Sequence, residues 1–168
     1  AVRLADKDFA RRKEQLQMRV NAITTNLGSM GLRSGRLDTQ ALIWLVEGSE
    51  RLGKRALALI EANDDEVHVS AFSFWEMAML EEKRRIALLS PLPRWKNTAV
   101  VRYGIKAVPL DADLALEAGS LPGTIHGDPS DRIVVATARS LACPLLTSDH
   151  EILAYAKQGH VHAIDACH

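Results

Sequence analysis

Five carboxylates lie on the side where the sequence predicts that short strands end: four stand at a strand end or a helix start, and Glu76 stands one to two turns into a helix. These residues are Asp38, Glu76, Asp128, Asp131 and Asp149. The carboxyl ends of parallel strands meet at one edge of an open α/β sheet, so we expect these acids to share one cleft. Gathered carboxylates repel one another, and a divalent cation relieves that repulsion. Oxygen ligands without a His or Cys cluster suit Mg²⁺ or Mn²⁺ rather than Zn²⁺.

The chemistry that such a cleft supports is phosphodiester hydrolysis. Bound Mg²⁺ or Mn²⁺ activates water and neutralises the charge that develops on a phosphate during in-line displacement. The residue types and their positions therefore favour a metal-dependent phosphodiesterase, before any resemblance to known proteins is considered.

Each of these acids also has a purely structural interpretation. Asp38 and Asp149 fit the N-cap positions of the helices that follow them. Ser73 and Glu76 have the spacing of a capping box, in which the Glu side chain reaches back to the N-cap amide. On this interpretation the three acids stabilise helix starts and bind nothing.

The segment 128–131 has the order of N-cap Asp, first-turn Pro and first-turn acid. Proline is favoured at the first helical position, and a carboxylate in the first turn complements the helix dipole. Because helices of an α/β fold begin at the same sheet edge at which ligands bind, the positions alone leave the cap and ligand interpretations open.

The elements that must position these acids alternate along the chain from Gly35 onward. The predicted strands are 36–37, 67–69, 105–108, 144–147 and 161–164, and the predicted helices are 39–47, 50–63, 71–85, 94–103, 112–119, 129–142 and 150–157. Strands too short to alternate clearly, separated by helices, are typical of a parallel sheet covered on both faces. We therefore predict a three-layer α/β/α fold with a central parallel sheet of four to five strands.

The chain has 168 residues, which suits one domain with a short extension. Its composition, 47% hydrophobic and 25% charged, excludes a collagen-like or mostly disordered chain. No apolar run is long enough for a membrane helix, and the first residues do not resemble a secretory signal. Cys143 and Cys167 form no disulfide framework, so we predict free thiols and a cytoplasmic protein.

The formal net charge of zero is unevenly divided along the chain. Residues 1–36 hold eight basic and three acidic side chains, a net charge of +5, whereas residues 37–168 hold 13 basic and 18 acidic ones, a net charge of −5. The larger part of the chain therefore lacks the evenly basic surface that is typical of nucleic-acid-binding domains. Its acidity fits carboxylates gathered around cations.

Residues 1–35 are predicted to be an extension of the domain at 36–168. The spacing of apolar residues predicts a helix over 3–23, and a stretch rich in glycine and serine follows as a linker. The sequence Gly28-Ser29-Met30 resembles the remnant of a tag before a start methionine. This gives the alternative interpretation that residues 1–29 are not native to the domain.

Four motifs, in order along the chain, resemble those of PIN domains, most closely the VapC-type toxins of bacterial type II toxin–antitoxin modules. The resemblance covers about residues 36–165. The motifs are Leu37-Asp38-Thr39-Gln40-Ala41-Leu42-Ile43-Trp44, Val69-Ser70-Ala71-Phe72-Ser73-Phe74-Trp75-Glu76, His126-Gly127-Asp128-Pro129-Ser130-Asp131-Arg132 and Pro144-Leu145-Leu146-Thr147-Ser148-Asp149. One departure precedes the first motif, because family members have a hydrophobic strand where this chain has Arg33-Ser34-Gly35-Arg36-Leu37.

The resemblance implies a Mg²⁺- or Mn²⁺-dependent endoribonuclease that a cognate antitoxin protein holds inactive, with RNA as substrate. A homodimer without membrane association is expected. The resemblance assigns roles to seven residues. The metal ligands and catalytic residues would be Asp38, Glu76, Asp131 and Asp149, Asp128 would be an additional ligand, and Thr39 and Thr147 would supply the hydroxyls that orient ligands or water. From its positive charge, Arg132 is expected to steer RNA to the acidic cleft.

Two other functions remain open at this stage. The first is a PIN-like scaffold that binds partners and cuts nothing, although such a scaffold has no physical need for four acids. The second is a DNA-directed nuclease of the same fold. Two surface features also have two interpretations each: Phe72, Phe74, Trp75 and Met79 form core or a dimer face, and the run 83–85 is a solvated helix end or contacts RNA.

Overall fold

The structure of the protein is a computed structural model that describes residues 35–62 and 67–167. The chain divides into two units, Ala1–Gly31 and Leu32–His168, and every described residue belongs to the second unit. The predicted helix over 3–23 and the linker after it, up to residue 34, lie outside the described residues. Gly35, which was predicted as the last residue of the extension, is instead the first residue of a strand.

The described residues form five strands and seven α-helices, with one π-helical segment. In chain order they are β1 Gly35–Leu37, α1 Thr39–Glu47, α2 Lys54–Glu61, β2 Val67–Ser70, α3 Ala71–Glu82, α4 Leu92–Asn97, the π-helical segment Thr98–Arg102, β3 Lys106–Val108, α5 Ala112–Gly119, α6 Pro129–Ser140, β4 Leu145–Thr147, α7 His150–Lys157 and β5 Ala163–Asp165. The alternation predicted from the sequence is confirmed.

The strands form one sheet in the order β3-β2-β1-β4-β5, and every pairing is parallel. Leu37 of β1 lies level with Val69 of β2 on one side and with Leu146 of β4 on the other. All five carboxyl ends therefore point the same way, and the predicted parallel sheet of four to five strands is confirmed. β1 lies between β2, which is the next strand along the chain, and β4, which comes near the end of the described residues.

The sheet separates two hydrophobic clusters, which gives the three predicted layers. Leu146 packs with Leu37, Leu42 and Trp95 in one cluster, whereas the preceding Leu145 belongs to the cluster on the other face. That second cluster contains the buried face of α6 and Tyr155 of α7. Successive strand residues point to opposite faces, so a strand as short as β4 supplies both layers.

Element boundaries differ from prediction where backbone groups find partners elsewhere. The second helix begins at Lys54 rather than at residue 50, because Gly48 ends α1 in the left-handed conformation and the Gly53 amide bonds to the Ala166 carbonyl. The third helix ends at Glu82, and Arg84 beyond it has a positive φ. Among the described residues, no helix is both long and apolar enough to span a membrane.

Arg36 of β1 occupies a core position that the hydrophobic pattern alone would give to an apolar residue. It is 0% exposed, and its Nε, Nη1 and Nη2 atoms have no hydrogen-bond partner among the described residues. Burial lowers the pKa of its guanidinium to about 10, and the neighbouring Cys143 acts in the opposite direction. This strand therefore carries a desolvated cation whose guanidinium has no hydrogen-bond acceptor in the described part of the chain.

Candidate active site

A cleft of about 310 Å³ opens at the carboxyl ends of β1 and β4. Four of the five predicted acids line it together: Asp38, Glu76, Asp131 and Asp149. Asp128 is exposed and is not among the described residues that line the cleft. The convergence predicted from strand order thus holds for the four acids.

Asp38 is held by both the sheet and the helix that follows β1. Its amide donates to the Leu146 carbonyl at 3.0 Å, and its Oδ1 atom accepts from the Ala41 amide at 2.6 Å as the N-cap of α1. Burial raises the pKa of its carboxyl to about 6; the Ala41 amide, the Thr147 hydroxyl and the Ser148 amide oppose this shift, whereas the Asp149 charge adds to it. The predicted cap is confirmed, and the same carboxylate lines the cleft.

Glu76 has a different partner from the one that the capping-box spacing predicts. The N-cap of α3 is Ser70, whose Oγ accepts from the Phe72 amide at 3.3 Å, and Ser73 lies buried inside the helix. The Oε2 atom of Glu76 instead accepts from the Thr39 hydroxyl at 2.5 Å. The capping-box interpretation is wrong because β2 passes directly into α3 at Ser70, so Glu76 lies beyond the first turn.

Asp128 and Asp131 occupy the N-cap and the first turn of α6, as predicted. Asp128 is the N-cap, and its Oδ1 accepts from the Ser130 amide at 2.8 Å. Asp131 follows in the first turn, where burial raises the pKa of its carboxyl to about 7. The charges of Asp149, Asp128 and Glu76 raise that pKa further, and His126, whose Nδ1 lies 4.0 Å from Asp131 Oδ2, opposes them.

Asp149 caps α7 and is linked to Asp38 through one hydroxyl group. Its Oδ1 accepts from the Glu151 amide at 2.8 Å and from the Ile152 amide at 3.0 Å. The buried Thr147 accepts from the Asp149 amide at 3.0 Å, and its hydroxyl bonds to the Asp38 side chain. Thr147 therefore links the Asp38 carboxylate to the backbone of Asp149.

Arg132 does not line the cleft. Its Nε donates to the Ala118 carbonyl at 2.8 Å, and its Nη2 donates to the Gly119 carbonyl at 3.1 Å. These bonds satisfy carbonyls at the end of α5, where a helix has no internal partners for them. Arg132 thus ties the end of α5 to the first turn of α6, next to Asp131.

The carboxylates fit a hard divalent cation that retains much of its water. No three His, Cys, Asp or Glu side chains in the described part of the chain form a ready metal cage. Mg²⁺ does not need such a cage, because it keeps several waters and is held by one or two carboxylates. Burial raises the pKa values of Asp38 and Asp131 to about 6 and about 7 because it disfavours their charged forms, and a bound dication would stabilise those charged forms.

Part of the cleft was not predicted as a site. Ile43, Leu80 and Ile86, which we call the apolar wall, line it together with Gln40 and His150. Ile43 follows Thr39 by four residues on α1, and Leu80 follows Glu76 by four on α3, so each pair shares a helix face. That spacing was available in the sequence, but apolar residues at helical spacing are ordinarily core.

An α/β/α sheet whose strand ends gather carboxylates in one cleft is the arrangement expected from the four sequence motifs. The family profile described as PIN domain matches residues 36–158. The chain belongs to the PIN domain family, and the predicted resemblance is confirmed.

Relatives and solved structures agree with this assignment. Ribonuclease VapC22 of Mycobacterium tuberculosis is 33% identical over 116 residues, which cover 69% of this chain and 87% of that protein. A toxin–antitoxin complex from Klebsiella pneumoniae has a chain of similar fold, with a TM-score of 0.54, 19% identity and coverage of 79% of this chain and 98% of that one. A chain of VapBC2 from Rickettsia felis, whose structure was solved bound to a DNA fragment from the promoter, has a similar fold with a TM-score of 0.52 and 13% identity. The match covers 77% of this chain and 96% of that one.

Proposed function

We propose that this protein is a divalent-metal-dependent endoribonuclease and the toxin component of a toxin–antitoxin system. The observation that carries the proposal is the meeting of Asp38, Glu76, Asp131 and Asp149 in one cleft of a PIN domain. The relative that is 33% identical is named a ribonuclease, which supports RNA as the substrate.

The four cleft acids would hold Mg²⁺ or Mn²⁺. When bound, the ion supplies a water of lowered pKa and neutralises charge on the phosphate. In Asp38 and in Asp149 one carboxylate oxygen, Oδ1, accepts the hydrogen bond of the helix cap. The cap thereby fixes the orientation of the whole carboxylate, including the Oδ2 atom that the cap does not use. The cap and ligand interpretations are thus compatible for these residues.

Three further residues would position the acids rather than contact substrate. The Thr39 hydroxyl fixes a Glu76 oxygen, and the Thr147 hydroxyl lies between the Asp38 and Asp149 segments. Arg132 anchors the first turn of α6 to α5. Asp128 acts on the site through its charge, which helps to raise the pKa of Asp131.

The partners would be RNA, an antitoxin protein and a second copy of the chain. The solved structures of similar fold include a toxin–antitoxin complex, which supports an antitoxin partner. Trp75 is 55% exposed and its ring lies 4.7 Å from that of Phe72, so this pair fits the predicted dimer face. Two free cysteines fit a cytoplasmic location.

The decisive experiment incubates the purified chain with cellular RNA, and with single-stranded RNA and DNA oligonucleotides of the same sequences. Each is tested with Mn²⁺, with Mg²⁺ and with EDTA. We expect RNA cleavage that requires the divalent ion and that leaves the DNA intact. A folded protein that cuts neither polymer would indicate the inactive scaffold, and preferential cleavage of DNA would indicate a DNA-directed nuclease.

A further inference from the structure

The apolar wall continues the acidic cleft in one direction. Thr39 and Glu76 are bonded to each other across α1 and α3, and one turn further along each helix stand Ile43 and Leu80. Ile86 follows the end of α3 and completes the wall. All three wall residues are half-buried, so the core does not cover them completely. The two helices thus lead from carboxylates to an apolar surface within one cleft.

Polar side chains accompany the apolar wall. Gln40 lies exposed in the first turn of α1 and lines the cleft, and its amide offers both a donor and an acceptor. The exposed residues Lys83, Arg84 and Arg85 directly precede Ile86 in the chain. A cation at a helix end complements the helix dipole, but that effect is confined to the last turn, and Arg84 and Arg85 lie beyond it.

We propose that the apolar wall is a nucleobase subsite, in which an unpaired base beside the scissile phosphate packs on Ile43, Leu80 and Ile86 while Gln40 reads its edge. Lys83, Arg84 and Arg85 bind the neighbouring phosphates. This inference rests on the proposed ribonuclease function and names the residue, Gln40, that would set the base preference beside the cut.

The size and the charges of the cleft favour this occupant. A paired base is stacked on both faces, so only an unstacked nucleotide can place a base against a wall inside a cleft of about 310 Å³. The four carboxylates repel phosphates unless a divalent ion is bound, whereas the cations at 83–85 attract them. RNA presents apolar base faces to the wall and phosphates to those cations.

The test measures kcat/KM in Mn²⁺ for single-stranded RNA oligonucleotides that differ only in the base at one position next to the mapped cut. We expect the wild-type protein to prefer one base about tenfold or more, since a bidentate amide contact discriminates by that order. Gln40→Ala should reduce the preference to about twofold by slowing the best substrate. Gln40→Glu should shift it towards cytosine, because a carboxylate accepts from the cytosine amino group.

Controls separate this inference from the proposed function. Gln158→Ala, at an exposed glutamine that caps the end of α7, should keep the wild-type preference. Annealing the best oligonucleotide to its complement should abolish cleavage, and Leu80→Ser should raise KM more than it lowers kcat.

An RNA-cleaving wild type whose base ranking is unchanged in Gln40→Ala, or that cuts the duplex equally well, would overturn the subsite and assign the wall to a protein partner. A wild type that cuts no RNA in Mn²⁺ would instead overturn the proposed function.

Discussion

Two buried charged residues stand two positions apart at β1, and their surroundings differ. Asp38, 7% exposed, receives hydrogen bonds from the Ala41 amide, the Thr147 hydroxyl and the Ser148 amide. Arg36, 0% exposed, has no hydrogen-bond partner for its guanidinium nitrogens among the described residues. In a parallel α/β sheet the helices begin at the strand exits, so free amides are available there for an anion. Inside the sheet, carbonyls are already paired and a buried cation finds no acceptors.

Asp38 is thus a buried charge that serves the site, whereas Arg36 is a buried charge for which the described residues provide no hydrogen-bond acceptor. Asp38 lies at the cleft, where its negative charge is usable by a cation. Arg36 interrupts the strand that is hydrophobic in the PIN domains that this chain resembles, and in the register it lies beside His68 and Leu145. Four predictions test this difference between the two charges and the site that Asp38 serves.

The largest effect is expected on catalysis. Asp38→Asn and Asp131→Asn should each lower the RNA cleavage rate by about a hundredfold or more, because even the outer partners of metal ligands contribute ~10- to 100-fold. Thermal unfolding should be unchanged or slightly raised, since Asn caps a helix about as well as Asp and one repulsive charge is removed. Asp113→Asn, which changes an exposed first-turn acid of α5, is the matched control and should retain activity. Active Asp38→Asn and Asp131→Asn proteins would contradict the assignment of these acids.

The next effect concerns stability. Arg36→Met should raise the free energy of unfolding by about 1 to 3 kcal/mol, because a buried polar group without a partner costs about that much and Met fills similar space. Urea denaturation measures the change as a higher midpoint at a constant slope. Arg51→Met, at an exposed arginine, should shift stability by no more than about 0.5 kcal/mol. A less stable Arg36→Met protein would show that the guanidinium has a compensating partner.

A smaller gain is expected from metal binding. At ten times its dissociation constant, Mn²⁺ should add about 1.4 kcal/mol to the stability of a protein that binds it only when folded. For a domain of this size that corresponds to a rise in Tm of about 3 to 6 °C, measured by scanning fluorimetry against an EDTA control. Asp131→Asn should reduce the shift and Asp113→Asn should not. An equal shift in all three proteins would place the bound ion elsewhere.

The smallest effect is a dependence of stability on pH in EDTA. Burial raises the folded-state pKa of Asp38 to about 6 and that of Asp131 to about 7, whereas the unfolded value is about 3.9. Between these values the folded state binds more protons, so the free energy of unfolding should fall as pH rises from about 4 to about 7. Denaturation at about pH 5 and about pH 8 measures this fall, and Asp131→Asn should lessen it.

Glu61 supplies the control for that titration. Burial raises the pKa of its carboxyl to about 7 as well, but it is not among the described residues that line the cleft. Glu61→Gln should lessen the fall in EDTA to a degree that Mn²⁺ does not alter, whereas the contribution of Asp131 should shrink when Mn²⁺ is present. If Mn²⁺ left the pH dependence of the wild type unchanged, the cleft carboxylates would not be the groups that bind it.

The sheet and the positions of the acids could be predicted from the sequence because both depend on local signals. A strand followed by Asp and then a helix places Asp38 and Asp149 at strand exits whatever the rest of the chain does. The role of Glu76 could not be decided from the sequence, because the spacing of Ser73 and Glu76 also fits a capping box. Only the tertiary contact with Thr39 shows that the Glu76 side chain points to the cleft. For Arg132 the partner is a carbonyl of α5, distant in sequence, and no local pattern indicates it.

The pairing of β1 with β4 has a consequence for how the protein is made. Leu37 lies beside Leu146, so the strand that leads to Asp38 and the strand that leads to Asp149 are synthesised at opposite ends of the described chain. A ribosome adds roughly 5 to 20 residues each second, and long-range strand pairing must wait for the later residues. A nascent chain therefore carries Asp38 and Glu76 while Asp131 and Asp149 do not yet exist. A PIN domain built in this order lacks its full set of cleft acids until Asp149 has been synthesised.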